Sequence, residues 1–344
     1  MTPDSTLRRR CLLTPLALAG LFATPTLHAV PRSLRLGTVA PKNSLYHRQL
    51  VELAELWRTG QGDGAKALVY ADGSQGGEAE MARRMRIGQL QGALLSVVGL
   101  REIEPSIAAL QNLPLLFRDW AEVDYVREKL RPAMEKRFLD KGFVVLAWGD
   151  AGWVRFFSRE AAVRPDDYKR MKFFAWGSEP EQQAIMKSLG YTPVPLETSD
   201  ILPAIQTGMI DVVPSTPYFA LASQVYDTAR HMLEINWAPI VGALVFTAKA
   251  WDDMAPAQQA AMRAAGEKAG AALRTQARQE VVEAAAAMAK RGLTVHRPNA
   301  EQMKEWQALA DKLYPRIRGT MVPADTFDEV MAHLKAYRAN PTRS

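Results

Sequence analysis

Histidines, a single cysteine and a scatter of acidic pairs are the residues of this 344-residue chain most able to do covalent or metal chemistry, and their spacing argues against it. His47, His231, His296 and His333 lie far apart, with no pair at an interval that would set two imidazoles beside one metal. Cys11 has no second cysteine to bridge or to share a zinc ion with. The glycine run GQGDG (60–64) leads into a strand instead of a helix, so it cannot seat a phosphate on a helix N-terminus; it reads as a hairpin-like loop. In DGSQGGE (72–78), Ser74 lacks the glycine two residues before it that a nucleophile elbow needs. The carboxylate pairs Glu52/Glu55 and Asp252/Asp253 read as solvated helix or turn surface. No metal, no cofactor and no acid–base constellation is expected. An enzyme would need a nucleophile and base within reach of each other, and no such pair can be named.

What the chain does set at a ligand-binding position is aromatic. RMKFFAWGSEPEQQAIMKSLG (170–190) reads as a strand turning into a helix, with Ser178 as N-cap, Pro180 in the first turn and Ile185, Met186 and Leu189 along one face. In an open α/β sheet, ligands bind just past the carboxyl ends of strands, where the next helix starts. Phe174 and Trp176 stand at such a place.

Around that stretch, strands and helices alternate along the chain. Strands are expected at 34–40, 65–71 and 92–98, with helices between them whose apolar sides are Leu50, Leu53, Ala54 and Trp57 in one and Met81, Met85 and Ile87 in the next. Such alternation builds a parallel sheet covered by helices. A helix at 120–139 and a strand at 143–150 follow, and from 153 the alternation begins again. A strongly apolar strand at 239–249 could run back into the first unit. Residues 256–291 form one alanine-rich helical run, interrupted by Gly266 and Gly270, that either bridges two lobes or bends at the glycines. Further helices are expected at 301–314 and 326–337.

The formal charge of +6 comes from basic residues interleaved with Asp and Glu, with no basic–aromatic run, so nucleic acid is not an expected partner. The N-terminus carries Arg8, Arg9 and Arg10, an apolar core from 11 to 22, and Leu27-His28-Ala29 as a cleavage site. The core is shorter than the ~20 residues that span a bilayer and fits a cleaved signal peptide. A periplasmic product starting near Val30 and lacking cysteine is expected.

Several stretches resemble the solute receptors of TRAP transporters, the DctP-like (C4-dicarboxylate-receptor-like) family. They are ADGSQGGEAEMARRMRIGQLQGALLS (71–96), LPLLFRD (113–119), DILPAIQTGMIDVVPSTP (200–217) and AKAWDDMAPAQQAAM (248–262), in the family's order. The resemblance implies a periplasmic binding protein fold: two α/β lobes around a cleft, with a long helix spanning both. It divides the chain into a signal peptide (1–29), lobe I (31–150, plus the returning strand near 239–250), lobe II (151–238), and the bridging and C-terminal helices (251–344). It also implies hinge closure on a small organic ligand and delivery to a TRAP permease by a monomeric receptor. A receptor that signals through a membrane protein is the alternative, and an enzyme on the same fold a more distant one.

The family's usual anchor is an arginine two residues after a lysine in a lobe II strand, where it grips a ligand carboxylate. Here Lys172 matches that lysine and Phe174 stands in place of the arginine. A phenyl ring cannot supply the bidentate grip of a guanidinium. An apolar or aromatic ligand part is therefore expected, with Arg155 as the surviving candidate cation. By resemblance or position the cleft should be lined by Tyr46, Gln75, Ser96, Trp148, Asp150, Trp153 and Arg155. Phe174, Trp176, Ser215, Thr216, Tyr218 and Trp237 complete the expected lining.

Overall fold

The structure, a computed structural model, describes residues 33–339; the expected export segment and its cleavage point lie outside the described residues. The chain begins β1 (Ser33–Thr38), α1 (Leu45–Gln61), β2 (Lys66–Tyr70), α2 (Glu78–Arg86), β3 (Gly92–Ser96), α3 (Val97–Leu100), α4 (Trp120–Asp140) and β4 (Phe143–Trp153). It continues through β5 (Arg155–Ser158), β6 (Lys172–Trp176), α5 (Pro180–Ser188), β7 (Thr192–Leu196), α6 (Ile201–Thr207), β8 (Val212–Ser215), α7 (Pro217–Ala222) and β9 (His231–Leu233). Then come β10 (Pro239–Thr247), α8 (Ala248–Asp252), α9 (Pro256–Lys290), β11 (Thr294–His296), α10 (Ala300–Ile317) and α11 (Ala324–Arg338).

Two sheets result, each with helices packed against it. The first has the order β2-β1-β3-β10-β4 and the second β11-β9-β5-β8-β6-β7. In the first sheet β1 pairs in parallel with β2 and β3, as strand–helix–strand crossovers require. The returning strand β10 inserts between β3 and β4 and is antiparallel to both. Every residue of β4 is buried. This strand leaves the first sheet, and after Val154 the chain enters the second as β5. The way back runs beside it: Val154 N–H donates to Ala238 O and Trp237 N–H to Val154 O. These paired crossings connect the two sheets.

Helical periodicity places α1 as expected, with Leu50, Leu53, Ala54 and Trp57 buried. In α2, Met81 and Met85 are buried but Ile87 is 55% exposed, because the helix ends at Arg86 and the chain turns away. The glycine run at 62–64 is a helix-to-strand turn between α1 and β2 rather than a hairpin.

α9 is one continuous helix of 35 residues, about 50 Å long at the usual helical rise. It bridges instead of bending. A Cβ on Gly266 would sit 2.5 Å from Leu146 O, and one on Gly270 2.8 Å from Trp148 O. The glycines thus serve close approach between helix and sheet. Leu273 and Ala277 join the first lobe's apolar cluster with Leu50 and Trp57, while Met288 packs in the second lobe's cluster with Phe157 and Phe174. α10 returns across the lobes, from Trp306 among Phe156, Tyr168 and Phe173 to Ile317 against the first lobe's core.

Candidate functional site

Between the sheets lies a cavity of about 380 Å³ whose walls come from the carboxyl ends of β1, β3, β6 and β8. Strand alternation decides much of what faces it. Phe174 and Trp176 are two residues apart on β6, share a face, and meet edge to face with ring centroids 4.8 Å apart. Both line the cavity, but Phe174 is buried, joining Ile205, Val213 and Met288 in the core, while Trp176 is half-buried.

The helix after β6 completes this wall. Its N-cap is Glu179, one residue later than the sequence indicated, and Pro180 takes the first helical position. No residue of α5 is buried, because its apolar face, with Ile185 and Met186 and then Leu189, fronts the cavity. Helical periodicity reads such a stripe as core; here it is cleft lining.

Of the residues expected at the cleft, Tyr46, Ser96, Asp150, Phe174 and Trp176 line the cavity, as do Ser215, Thr216 and Trp237. The other expected residues point elsewhere. Gln75 accepts from Arg84 Nη1 at 2.9 Å. Trp148 is core, its Nε1–H donating to Glu135 at 2.8 Å. Trp153 stacks on Trp120 at 4.8 Å. Tyr218 packs its ring edge-on against Tyr46 and Phe219. Arg155 alternates with cleft-lining Val154 and Phe156 and so turns away; it donates to Asn236 Oδ1 at 2.6 Å. Burial lowers its pKa and nearby Glu234 offsets this in part. Lys172 also turns from the cleft, toward Gly208 O.

Asp150 has a fully buried carboxylate that is already satisfied. Arg127 Nη1 donates to Oδ1 at 2.6 Å, and Arg278 donates to Oδ2 through Nε and Nη2 at 2.9 and 2.6 Å. Asp124 pairs with both arginines. This network fastens α4 and α9 to β4, and Tyr46 Oη adds a bond to the Asp150 backbone oxygen at 3.1 Å. Burial pushes the Tyr46 pKa well above its ordinary value.

The sequence reading missed two other carboxylates. Glu78, at the start of α2, accepts from Ser96 N–H, Ser96 Oγ and Gly99 N–H at 3.0, 2.6 and 3.0 Å. Burial holds its pKa above the ordinary carboxylate value; these donors offset the rise in part, and Glu179 across the cleft adds to it. Glu179 accepts from Arg101 of the first lobe at 3.1 Å, and the two side chains are only 3% and 14% exposed. Burial still raises its pKa despite that partner. Arg101 and Glu179 join the lobes directly. Among the described residues that line the cavity there is no lysine, arginine or histidine.

The sequence profile of DctP, described as bacterial extracellular solute-binding protein, family 7, matches residues 36–319. The chain belongs to this family. The C4-dicarboxylate-binding periplasmic protein DctP of Rhodobacter capsulatus is 22% identical over 283 residues, which is 82% of this chain and 84% of that protein. Among solved structures, a TRAP periplasmic solute-binding protein from Sulfitobacter sp. NAS-14.1 with bound β-D-galacturonate has a TM-score of 0.79 at 17% identity, covering 88% of this chain and all of that one. Another, from Shewanella oneidensis with bound succinate, gives 0.79 at 18% identity, covering 89% and 100%. Members of the DctP family are solute receptors, and this one shares their two-lobe fold.

Proposed function

We propose that this DctP-family protein is the receptor of a TRAP-type, sodium-coupled transporter. It captures a small organic acid with a sizeable apolar or aromatic part, closes its lobes on it, and presents it to a membrane permease. The observation that carries the reading is the cavity at the strand ends, walled by Trp176, Ile185, Met186 and Trp237 and free of cationic side chains among the described lining residues. Pockets of this kind hold mostly apolar ligands through a few placed polar groups. Uncharged donors are what the cleft offers a ligand oxygen: Asn112 Nδ2 is buried without a hydrogen-bond partner, and Ser215 and Thr216 lie on the opposite lobe. A plain dicarboxylate would bury charge against rings at a cost of several kcal/mol.

The test is calorimetry with C4-dicarboxylates set against aromatic and long-chain acids, together with mass spectrometry of molecules released on denaturation. Preference for the apolar acids supports the reading. Tight binding of succinate that Trp176→Ala leaves unchanged would overturn it.

A further inference from the structure

The charges around the cavity do not balance, and the imbalance has a place. Arg101 neutralises Glu179, while Arg127 and Arg278 neutralise Asp150 and Asp124. Glu78 has no cationic partner among the described residues: its donors are two backbone N–H groups and one hydroxyl. Burial holds its pKa above the ordinary carboxylate value; those N–H donors and its position in the first turn of α2 offset that cost only in part, and a cation beside it would supply the rest. Oε2 accepts from all three donors, whereas Oε1 accepts from Ser96 N–H alone, at 3.0 Å, and has capacity left. A carboxylate oxygen with spare capacity, on the wall of a mostly apolar cavity, gains strongly from a cation because little water screens the pair.

We propose that the ligand carries a protonated amine, which Glu78 holds in the cleft. This deepens the receptor reading and rests on it. The same wall supplies a partner for a ligand oxygen in the buried, unpartnered Nδ2 of Asn112. Trp176 and the apolar face of α5 take the ligand's body. An amino acid with an apolar or aromatic side chain is the simplest molecule with all these features. Glu78 is then the residue that separates such a ligand from the same acid without its amine, and Glu179, committed to Arg101, keeps a second anion close by.

Calorimetry with phenylalanine, phenylethylamine and 3-phenylpropanoate, which share one aromatic body, tests this on the full-length protein. The amine-bearing probes are expected to bind roughly tenfold or more tightly than the propanoate, as a charge-assisted bond to a buried partner implies. Glu78→Gln should erase that preference, and if the variant does not fold, the ranking on the unaltered protein decides. Binding of the propanoate as tight as that of the amines, and weakened by Trp176→Ala, overturns the amine while leaving the receptor reading intact. Should none of the probes bind, the molecule released from the purified protein on denaturation decides. A compound with a basic nitrogen that Glu78→Gln no longer retains supports the inference, and any other compound overturns it. No released compound and no probe bound would overturn the receptor reading itself.

Discussion

Phe174 and Trp176 occupy adjacent same-face positions of one strand yet do different work. Phe174 is 4% exposed and packs in the lobe's core, so Phe174→Ala should cost about 3–5 kcal/mol of stability. Trp176 is half-buried at the cavity, so Trp176→Ala should leave the melting temperature nearly unchanged and weaken ligand binding by about 1–3 kcal/mol. Thermal melts beside calorimetry separate the two, and the opposite assignment of effects would show that the ligand sits on Phe174. Asp150 is a third kind of residue, a cleft-lining carboxylate committed to the scaffold. Asp150→Ala leaves the 2%-exposed Arg127 side chain with Asp124 as its one acidic partner among the described residues, and a loss of up to about 3–5 kcal/mol is expected in chemical denaturation. Much of this site was legible from strand-end position: Trp176, Ser96, Ser215 and Thr216 needed only the alternation of strands and helices. Glu78 and Glu179 were not, because each looks like an ordinary acidic residue at a helix start; the β3–α3 turn closes over Glu78, and Glu179 meets Arg101 of the other lobe. Arg155 was misplaced by one step of strand alternation, which no isolated strand reading fixes.

α9 and α11 make predictions at the next scale. Alanine is normally a better helix residue than glycine by about 1 kcal/mol. At Gly266 the sign should reverse, because the added Cβ meets the Leu146 carbonyl at 2.5 Å, and overpacking of that kind costs about 1–3 kcal/mol. A lower denaturation midpoint for Gly266→Ala checks this; a gain would mean that the helix can lift off the sheet freely. α11 is tied to α4 through Arg338, whose Nε and Nη2 donate to Glu122 at 2.7 Å each. Burial alone would raise the Glu122 pKa, but Arg338 and the Arg118 N–H more than offset it and hold it below 4.5. A depressed carboxyl pKa means that the unfolded state binds more protons, so this contribution is full above pH ~4.5 and is lost as pH falls through the folded-state value. Amide protection factors in α11, corrected for the intrinsic exchange rate at each pH, should therefore fall on acidification, and Glu122→Gln should remove that pH dependence. Elements of this kind were readable because α1 carries a clear apolar stripe and α9 a long alanine-rich run. The glycines of α9 were ambiguous because sequence does not say what faces them.

For the whole molecule, the pairing of Arg101 with Glu179 joins the two lobes across the cleft, and under the proposed hinge closure it would favour the closed arrangement. A ligand that touches both lobes favours that arrangement by its differential affinity for it. Solution scattering should show a smaller radius of gyration at saturating ligand, and Arg101→Ala should enlarge it without ligand; an unchanged profile in both experiments would remove hinge closure from the mechanism. The position of β10 has a consequence in time as well as in space. It fills the slot between β3 and β4, yet the ribosome makes it only after all the strands from β5 to β9. A nascent chain that ends before Pro239 therefore presents facing strand edges with nothing between them, and open edges recruit strands from other molecules. The first lobe, though begun first, can be finished only when most of the second has been made. The lobes are consequently not independent folding units, and a fragment cut at the hinge should aggregate where the full-length protein does not.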